Sequence, residues 1–324
     1  MPDLQIATAG AWLRNHGYHS TGCTFAELGG GVSNVVLLAD SRDLRLVIKQ
    51  SLGKLRVTET WESDRGRIFR EAAAMKWLSP RLPGVAIPRL LIEDREAFVI
   101  AMEAAPAGAV MWKSKLFAGE HNAGDARTAG MILGRIIAAS WRNPEAREIF
   151  GDQTVFDQLR LDPYYRFTAR RHPDLAPYFR RLIERCAARA VSLVHGDFSP
   201  KNLLVANGEM WVIDWEVVHY GDPSFDAGFL LNHLLLKSIA LPRYREPFAT
   251  LAQAFFDAIA EQLPPDATEV IPGAFEHLPA LLLARADGKS PAEYLDEAGR
   301  QRARELSRSL IADPAQSIAE VFQR

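Results

Sequence analysis

An α+β fold in two lobes, a small β-rich N-lobe followed by a larger mainly helical C-lobe, is predicted from three observations. Residues 24–50 and 90–102 form strand-length apolar segments separated by glycines and acidic turns. From Asp125 onward apolar residues recur at helical spacing. A short β-like interruption at 193–194, 203–205 and 211–213 surrounds two acid-bearing loops, HGDFSPKN and IDWE. A chain of 324 residues is long enough to divide this way. The expected lobes are 1–104 and 105–324, and the small, Pro- and Gly-bearing run 105–108 is the expected hinge.

Element by element, residues 4–17 carry Leu4, Ala7 and Ala11 on one helical face, with Gly17 as a stop signal. Strands are expected at 24–28 and 32–39 around Gly29, Gly30 and Gly31, and a third at 44–50 after the turn 40–43. Ile68, Ala72 and Met75 give residues 65–78 a helical stripe. Segments 90–93 and 97–102 flank an acidic turn and should form a hairpin. Beyond Phe225 the pattern is helical again, punctuated by prolines at 242, 247, 264, 265, 272 and 279.

Composition narrows the function classes. Hydrophobic residues make up 48% and charged ones 24%, the balance of an ordinary globular enzyme. A formal net charge of −2 provides no polycation field, which disfavours a nucleic-acid partner. The longest apolar stretch, 227–236, is too short to cross a bilayer and contains Asn232 and His233, so no membrane partner is expected. The first residues lack the basic and apolar regions of a signal peptide. Two isolated cysteines, Cys23 and Cys186, suit a reducing cytoplasm better than a disulfide framework.

The chemistry concentrates in His195-Gly196-Asp197-Phe198-Ser199-Pro200-Lys201-Asn202 and Ile213-Asp214-Trp215-Glu216. Phosphoryl transfer needs charge neutralisation on a triphosphate and a group that orients the attacking hydroxyl. An Asp and an Asn five residues apart can divide that labour: Asp197 takes or aligns the hydroxyl proton, and the Asn202 amide oxygen ligates magnesium. Asp214 supplies the charged oxygen that hard Mg2+ prefers. Glu216 is a candidate for a second ion or a metal-bound water, and His195 is expected to brace the loop. Either half alone reads as a turn; their joint spacing between short strands favours a site.

HGDFSPKN plus IDWE resembles the catalytic and metal-binding motifs of the aminoglycoside phosphotransferase and choline kinase superfamily, a branch of the protein-kinase-like fold. Residues 57–71 (VTETWESDRGRIFRE), 102–108 and 220–226 (YGDPSFD) are similar in layout to its methylthioribose kinase branch. The resemblance implies a protein-kinase-like two-lobe fold, a nucleotide cleft between the lobes, ATP or GTP as phosphoryl donor, and one or two magnesium ions. It assigns Asp197 as the catalytic aspartate, Asn202 and Asp214 as metal ligands, and Lys49 as the phosphate-binding lysine.

Other expected parts lie in the first half. Gly30, Gly31, Ser33 and Asn34 sit in a glycine-rich turn whose backbone can approach phosphate, although a tight hairpin reads the same. It is not a Walker loop, because no lysine–serine pair follows at the required spacing. Lys49 ends its strand one element later, with Glu71 as candidate partner. The alternatives are a solvated lysine, a Glu71–Arg67 surface pair, or Glu59 and Glu62 as competing carboxylates. Glu103 and Ala105 are placed to present backbone groups to a nucleotide base, although a simple inter-lobe linker reads the same.

On the acceptor side, Trp215, Tyr220 and Trp112 are candidates for an aromatic wall against a choline-like head group, with core packing as the equal alternative. Arg285 can reach an anionic or hydroxyl-bearing substrate, with a salt bridge to Asp287, Glu293 or Asp296 as the alternative. This chain has Ala284-Arg285 where the methylthioribose kinase branch shows a double arginine, and an Asn in HGDFSPKN which that branch lacks. Residues 217–324 hold 15 Asp and Glu against 10 Lys and Arg, which permits a cationic acceptor. The expected partners are a nucleotide triphosphate and a small-molecule hydroxyl acceptor. A metal-dependent phosphoesterase and a nucleotide-binding pseudoenzyme are the rivals; the first would need more His or Asp ligands.

Overall fold

The computed structural model describes residues 4–29, 33–54 and 63–324. Helix α1 (Ile6–Asn15) leads into an antiparallel five-stranded sheet made of β1 (Thr24–Glu27), β2 (Asn34–Asp40), β3 (Arg45–Ser51), β4 (Leu90–Asp94) and β5 (Val99–Glu103). The strand order is β1-β2-β3-β5-β4, with α2 (Arg67–Leu78) inserted between β3 and β4. The predicted hairpin is β4–β5, with an irregularity in register between Leu90 and Ile92.

Alternation along β2 and β3 explains how the sheet buries one face. Val35, Leu37, Ala39, Leu46 and Ile48 join Ala9, Trp12 and Leu13 of α1 in one apolar cluster. Trp12 Nε1 donates to Asp94 Oδ2 at 3.0 Å and the Leu4 N–H to Gln50 Oε1 at 2.6 Å, fastening α1 to the sheet. The helix stops where Gly17 takes φ 82°, a left-handed conformation that costs glycine little, while the Tyr18 N–H returns to Leu13 O.

After Glu103 the chain passes through the small run to β6 (Val110–Met111), α3 (Trp112–Phe117), α4 (Ala123–Ser140), α5 (Pro144–Phe150) and α6 (Thr154–Phe156). A wide π-helical stretch, Asp157–Arg166, follows and contains Pro163, whose missing N–H removes an ordinary helical hydrogen bond. Helices α7 (Phe167–Arg171) and α8 (Ala176–Ala188) lead to β7 (Ser192–Val194), β8 (Leu203–Ala206), β9 (Glu209–Val212) and β10 (His219–Gly221). β6 pairs with β8 and β8 with β9, while β7 pairs with β10. The remainder is α9 (Ser224–Ala240), α10 (Arg245–Ala260), α11 (Val270–Asp287), α12 (Glu297–Ala312) and α13 (Ile318–Gln323).

This is the predicted α+β arrangement, a small sheet lobe and a largely helical remainder. One apolar core runs from Ile68, Met75 and Trp77 of α2 through Trp112, Leu203 and Met210 to Leu230 and Phe255. Packing therefore couples α2 to the loop-bearing strands. Helix α9 is buried on every face from Ser224 to Ser238, as an almost uniformly apolar helix should be. Among the described residues no helix is long and apolar enough to cross a membrane.

Candidate active site

The loop after β7 is held in shape by buried polar contacts. Asp226, in the first turn of α9, accepts the N–H of His195 at 2.6 Å and of Gly196 at 2.9 Å. Burial pushes the Asp226 carboxyl up to about 7 despite those two donors. Gly196 takes φ 77°, and a Cβ there would lie 2.7 Å from Val217 Cγ1, so the turn excludes a side chain. His195 Nε2 meets Ile213 O at 3.0 Å, and its Nδ1 accepts the Asp197 N–H at 3.2 Å. The imidazole is thus a neutral brace between the two loops, and burial drives its pKa down to about 4.

A pH consequence follows for His195. Its folded pKa lies below that of the unfolded chain, so its stabilising contribution is complete above about 6.5 and is lost as pH falls toward about 4. Nitrogen NMR should show the neutral Nε2–H tautomer, with Nδ1 unprotonated, through neutral pH; a titration midpoint near 6.5 would contradict this.

Asp197 Oδ2 lies 2.8 Å from Lys201 Nζ and 3.1 Å from Arg160 Nη2. Burial raises its pKa, and the two cations more than offset that, leaving the carboxylate below its usual range and ionised. Asn202 Nδ2 donates to Asp197 O at 2.9 Å, which directs the amide oxygen elsewhere. Ile213 N–H donates to Asn202 O at 3.0 Å, joining the HGDFSPKN loop to the Asp214 loop. Asp214 stands at φ 68° and ψ 56°, a left-handed conformation that Asp tolerates better than most residues.

Lys49 connects this second loop to the sheet. Its Nζ is 2.6 Å from Glu71 Oε2 and 2.5 Å from Asp214 Oδ1. Burial lowers its pKa, but Asp214, Glu71 and Glu216 together raise it, so the ammonium stays charged. Lys49 is the third residue from the end of β3, whose register against β2 and β5 fixes its direction, and Glu71 is on the buried side of α2.

Deeper still, Glu216 accepts from Ser33 Oγ at 2.7 Å, from Asn34 Nδ2 at 2.7 Å and from Arg67 Nε at 3.2 Å. Arg67 is fully buried and also donates to Leu52 O at 2.8 Å and to Ser33 O. This hub ties the turn after the glycine run, α2 and the Asp214 loop together.

A sequence model of the phosphotransferase enzyme family matches residues 24–261. The chain belongs to this family. A methylthioribose kinase of Cronobacter sakazakii is 26% identical over 244 residues, 67% of this chain and 61% of the relative. The chain thus spans about three fifths of that curated relative's length. Among solved structures, an amicoumacin kinase in complex with AMP-PNP and Ca2+ superposes with TM-score 0.57 at 15% identity, covering 96% of this chain and 94% of that one. A choline/ethanolamine kinase family protein from Mesorhizobium loti gives TM-score 0.54 at 19% identity, with 98% of each chain covered. The resemblance read from HGDFSPKN and IDWE, and the protein-kinase-like fold it implied, are borne out.

Within this phosphotransferase-family chain several expected placements need correction. Glu216 is engaged within the protein: Ser33 donates to its Oε1, and Asn34 and Arg67 donate to its Oε2. The side chains of Ser33 and Asn34 are correspondingly turned to Glu216, and Ser33 O accepts from the Leu52 N–H and from Arg67. Gly30 and Gly31, like Glu59 and Glu62, lie outside the described residues. The Glu71–Arg67 surface pair is also replaced, since Arg67 turns inward. Beyond β5, the Glu103 N–H donates to Arg89 O at 2.9 Å and Ala105 O accepts from Arg45 Nε at 3.2 Å, so the expected contact with a base would fall to Glu103 O and the Ala105 N–H.

The aromatic wall is absent for a plain reason. Trp215 and Trp112 are fully buried, and Trp215 Nε1 donates to Val212 O at 3.1 Å. Tyr220 is buried on β10 with its hydroxyl on Val191 O at 2.9 Å. All three are core residues. Arg285 Nη1 is 2.9 Å from Ser290 Oγ and 3.5 Å from Tyr164 Oη, and its Nη2 is 3.9 Å from Glu293, while Asp287 pairs instead with Arg304 at 2.8 Å.

Sequence reasoning missed Arg160, Lys201, Asp226 and the inward turn of Arg67. Lys201 stood inside the quoted motif four residues after Asp197, and Asp226 closed YGDPSFD, so both were visible. Arg160 carries no local signal: a π-helical turn presents it to a loop 37 residues further on.

Proposed function

We propose that this chain is a magnesium-dependent small-molecule kinase that moves the γ-phosphate of ATP or GTP to an alcohol. The observation that supports it best is the junction of Lys49, Glu71 and Asp214 beside the loop that holds Asp197. A fixed ammonium on one side and an ionised carboxylate on the other are the two parts phosphoryl transfer asks of a protein. The amicoumacin kinase of like fold binds a nucleotide analogue with a divalent cation, and the Cronobacter relative bears the name of a sugar kinase; both accord with this reading.

In the proposed reaction Lys49, steered by Glu71, neutralises donor phosphate oxygens. Asp197 accepts or aligns the acceptor hydroxyl proton, while Arg160 and Lys201 keep its carboxylate ionised and oriented. The acceptor oxygen forms a bond to the γ-phosphorus, and the bond from that phosphorus to its bridging oxygen breaks. The electron pair leaves on the nucleoside diphosphate.

Asp214 and Asn202 fit magnesium. They offer two hard oxygens from joined loops, and among the described residues no group of three His, Cys, Asp or Glu forms an all-protein cage. That is the pattern of Mg2+, which uses one or two protein oxygens plus substrate phosphates. Bound there, the ion would neutralise charge on the transferring phosphoryl group. The lobe boundary at 104/105 and a cytoplasmic setting, suggested by two free cysteines, belong to the same proposal.

Replacing Asp214 by Ala is expected to remove magnesium-supported nucleotide binding, read by calorimetry of AMP-PNP with and without the ion. Equal magnesium enhancement in wild type and variant would remove Asp214 from the ligand set.

A further inference from the structure

Helix α9 is buried all round, yet it carries Asp226 near its start and His233 and Lys237 near its end. Asp226 has two backbone donors; Lys237 has no comparable partner. It is 1% exposed, and its ammonium donates to His233 O of its own helix at 3.2 Å. Its Nζ lies 5.3 Å from the Tyr294 ring centre and 5.7 Å from that of Phe117. The Lys113 ammonium stands 5.7 Å from the same Tyr294 ring.

The charges nearest Lys237 are mostly of its own sign. Burial, followed by Lys113 and Arg285, pushes its pKa down to about 7, with Glu293 alone opposing. His233 is depressed as well, first by burial and then by Lys237, Arg285, Lys201 and Lys113. Glu293 sits at the rim, 63% exposed, 2.5 Å from Lys113 and 3.9 Å from Arg285.

Two further donors in this cluster are unmet. Arg285 Nε and Tyr294 Oη are buried without a hydrogen-bond partner, and Arg285 as a residue is 8% exposed. Buried donors left unmet, and a buried ammonium with a single backbone acceptor and no carboxylate among the described residues, cost free energy, so their retention side by side calls for a ligand that satisfies them. The cluster is linked to the Asp197 loop through Tyr164 and Arg160. Arg285 Nη1 is 3.5 Å from Tyr164 Oη, the Arg160 guanidinium is 5.7 Å from the Tyr164 ring, and Arg160 Nη2 is 3.1 Å from Asp197.

We propose that Lys113, Lys237, Arg285 and Tyr294 recognise an anionic group, carboxylate or phosphate, on the acceptor. The phosphorylated substrate is then a small alcohol that already bears oxyanions. This rests on the kinase reading and narrows its substrate class; the transfer is the one written above. The acid excess of residues 217–324 does not oppose it, because Asp287 and Asp222 are held by Arg304 and Arg185, and the charges around Lys237 are those named here. A polycationic acceptor would meet like charge.

The test saturates the nucleotide site with AMP-PNP and magnesium and then titrates acceptors by calorimetry. Glycerate and gluconate form one arm, glycerol 3-phosphate and ribose 5-phosphate a second, and glycerol, ribose and choline the control. At least one anionic arm is expected to bind tenfold or more tighter than its neutral counterpart, and which arm does so separates hydroxy acids from phosphorylated alcohols. Lys237→Met should reduce that preference at least tenfold, and Lys237→Arg should restore part of it. If Lys237→Met fails to fold, nitrogen NMR of the wild-type ammonium replaces it, with an upward shift of the Lys237 titration on adding the anion expected. Preference for glycerol, ribose or choline, binding by no anion, or no response of Lys237 would overturn the proposal. Failure of AMP-PNP to bind would instead overturn the kinase reading, and the anion titration would then be judged without nucleotide.

Discussion

Replacing Asp197 by Asn is expected to lower turnover by ~10²–10⁴ while AMP-PNP affinity stays within a few-fold of wild type. The amide keeps the size and one acceptor oxygen of the carboxylate but can neither take a proton nor balance two cations. Arg160 at 3.1 Å and Lys201 at 2.8 Å hold the native carboxylate ionised, so what is lost is a positioned, charged group. The nucleotide contacts we assign lie elsewhere, on Lys49 and Asp214, which separates the two readouts. Steady-state kinetics and calorimetry on the same preparation decide it. A variant with wild-type turnover would end the assignment of Asp197, whatever its melting temperature.

Glu216→Ala is expected to destabilise the folded chain by about 3–5 kcal/mol, the cost of leaving a buried cation without its partner. Arg67 is fully buried and makes its carboxylate contact with Glu216 at 3.2 Å. Ser33 and Asn34 would lose the same acceptor, so the turn that leads into β2 should loosen as well. Glu216→Gln keeps an acceptor and should fall between the two. Urea unfolding followed by circular dichroism measures the change. Were stability unaltered while the number of bound magnesium ions fell, Glu216 would be a metal ligand and the hub reading would be wrong.

These two residues mark how far local patterning reaches. Asp197 could be singled out because the chemistry proposed for its loop is written in eight consecutive residues, HGDFSPKN, and because a strand–loop–strand context constrains where they point. The Lys49–Glu71 contact was legible for a similar reason: strand register and helical periodicity each set one direction. The surroundings of Glu216 were not legible, because a carboxylate next to a metal-type motif carries no mark of which donors will meet it. Its partners Asn34 and Arg67 are 182 and 149 residues away in the chain.

By itself, the sequence determined the order of strands and helices, the α+β class with a small sheet lobe, the family, and the set of acids and amides from which a site can be built. The elements and the class follow from short-range periodicity and turn chemistry; the family follows from the resemblance of HGDFSPKN and IDWE to known motifs. Only the tertiary structure decided which side chains are spent on holding the fold together and which remain to meet a ligand. Trp215, Tyr220 and Glu216 went to the interior because core packing and buried hydrogen bonds claim whatever lies next to them. Lys237, in a helix buried on every face, was left with cations for neighbours because distant elements, bearing Lys113 and Arg285, converge on its end. Charge counts along a chain average over such meetings; the field at a site is set by the few groups that folding brings within several ångströms.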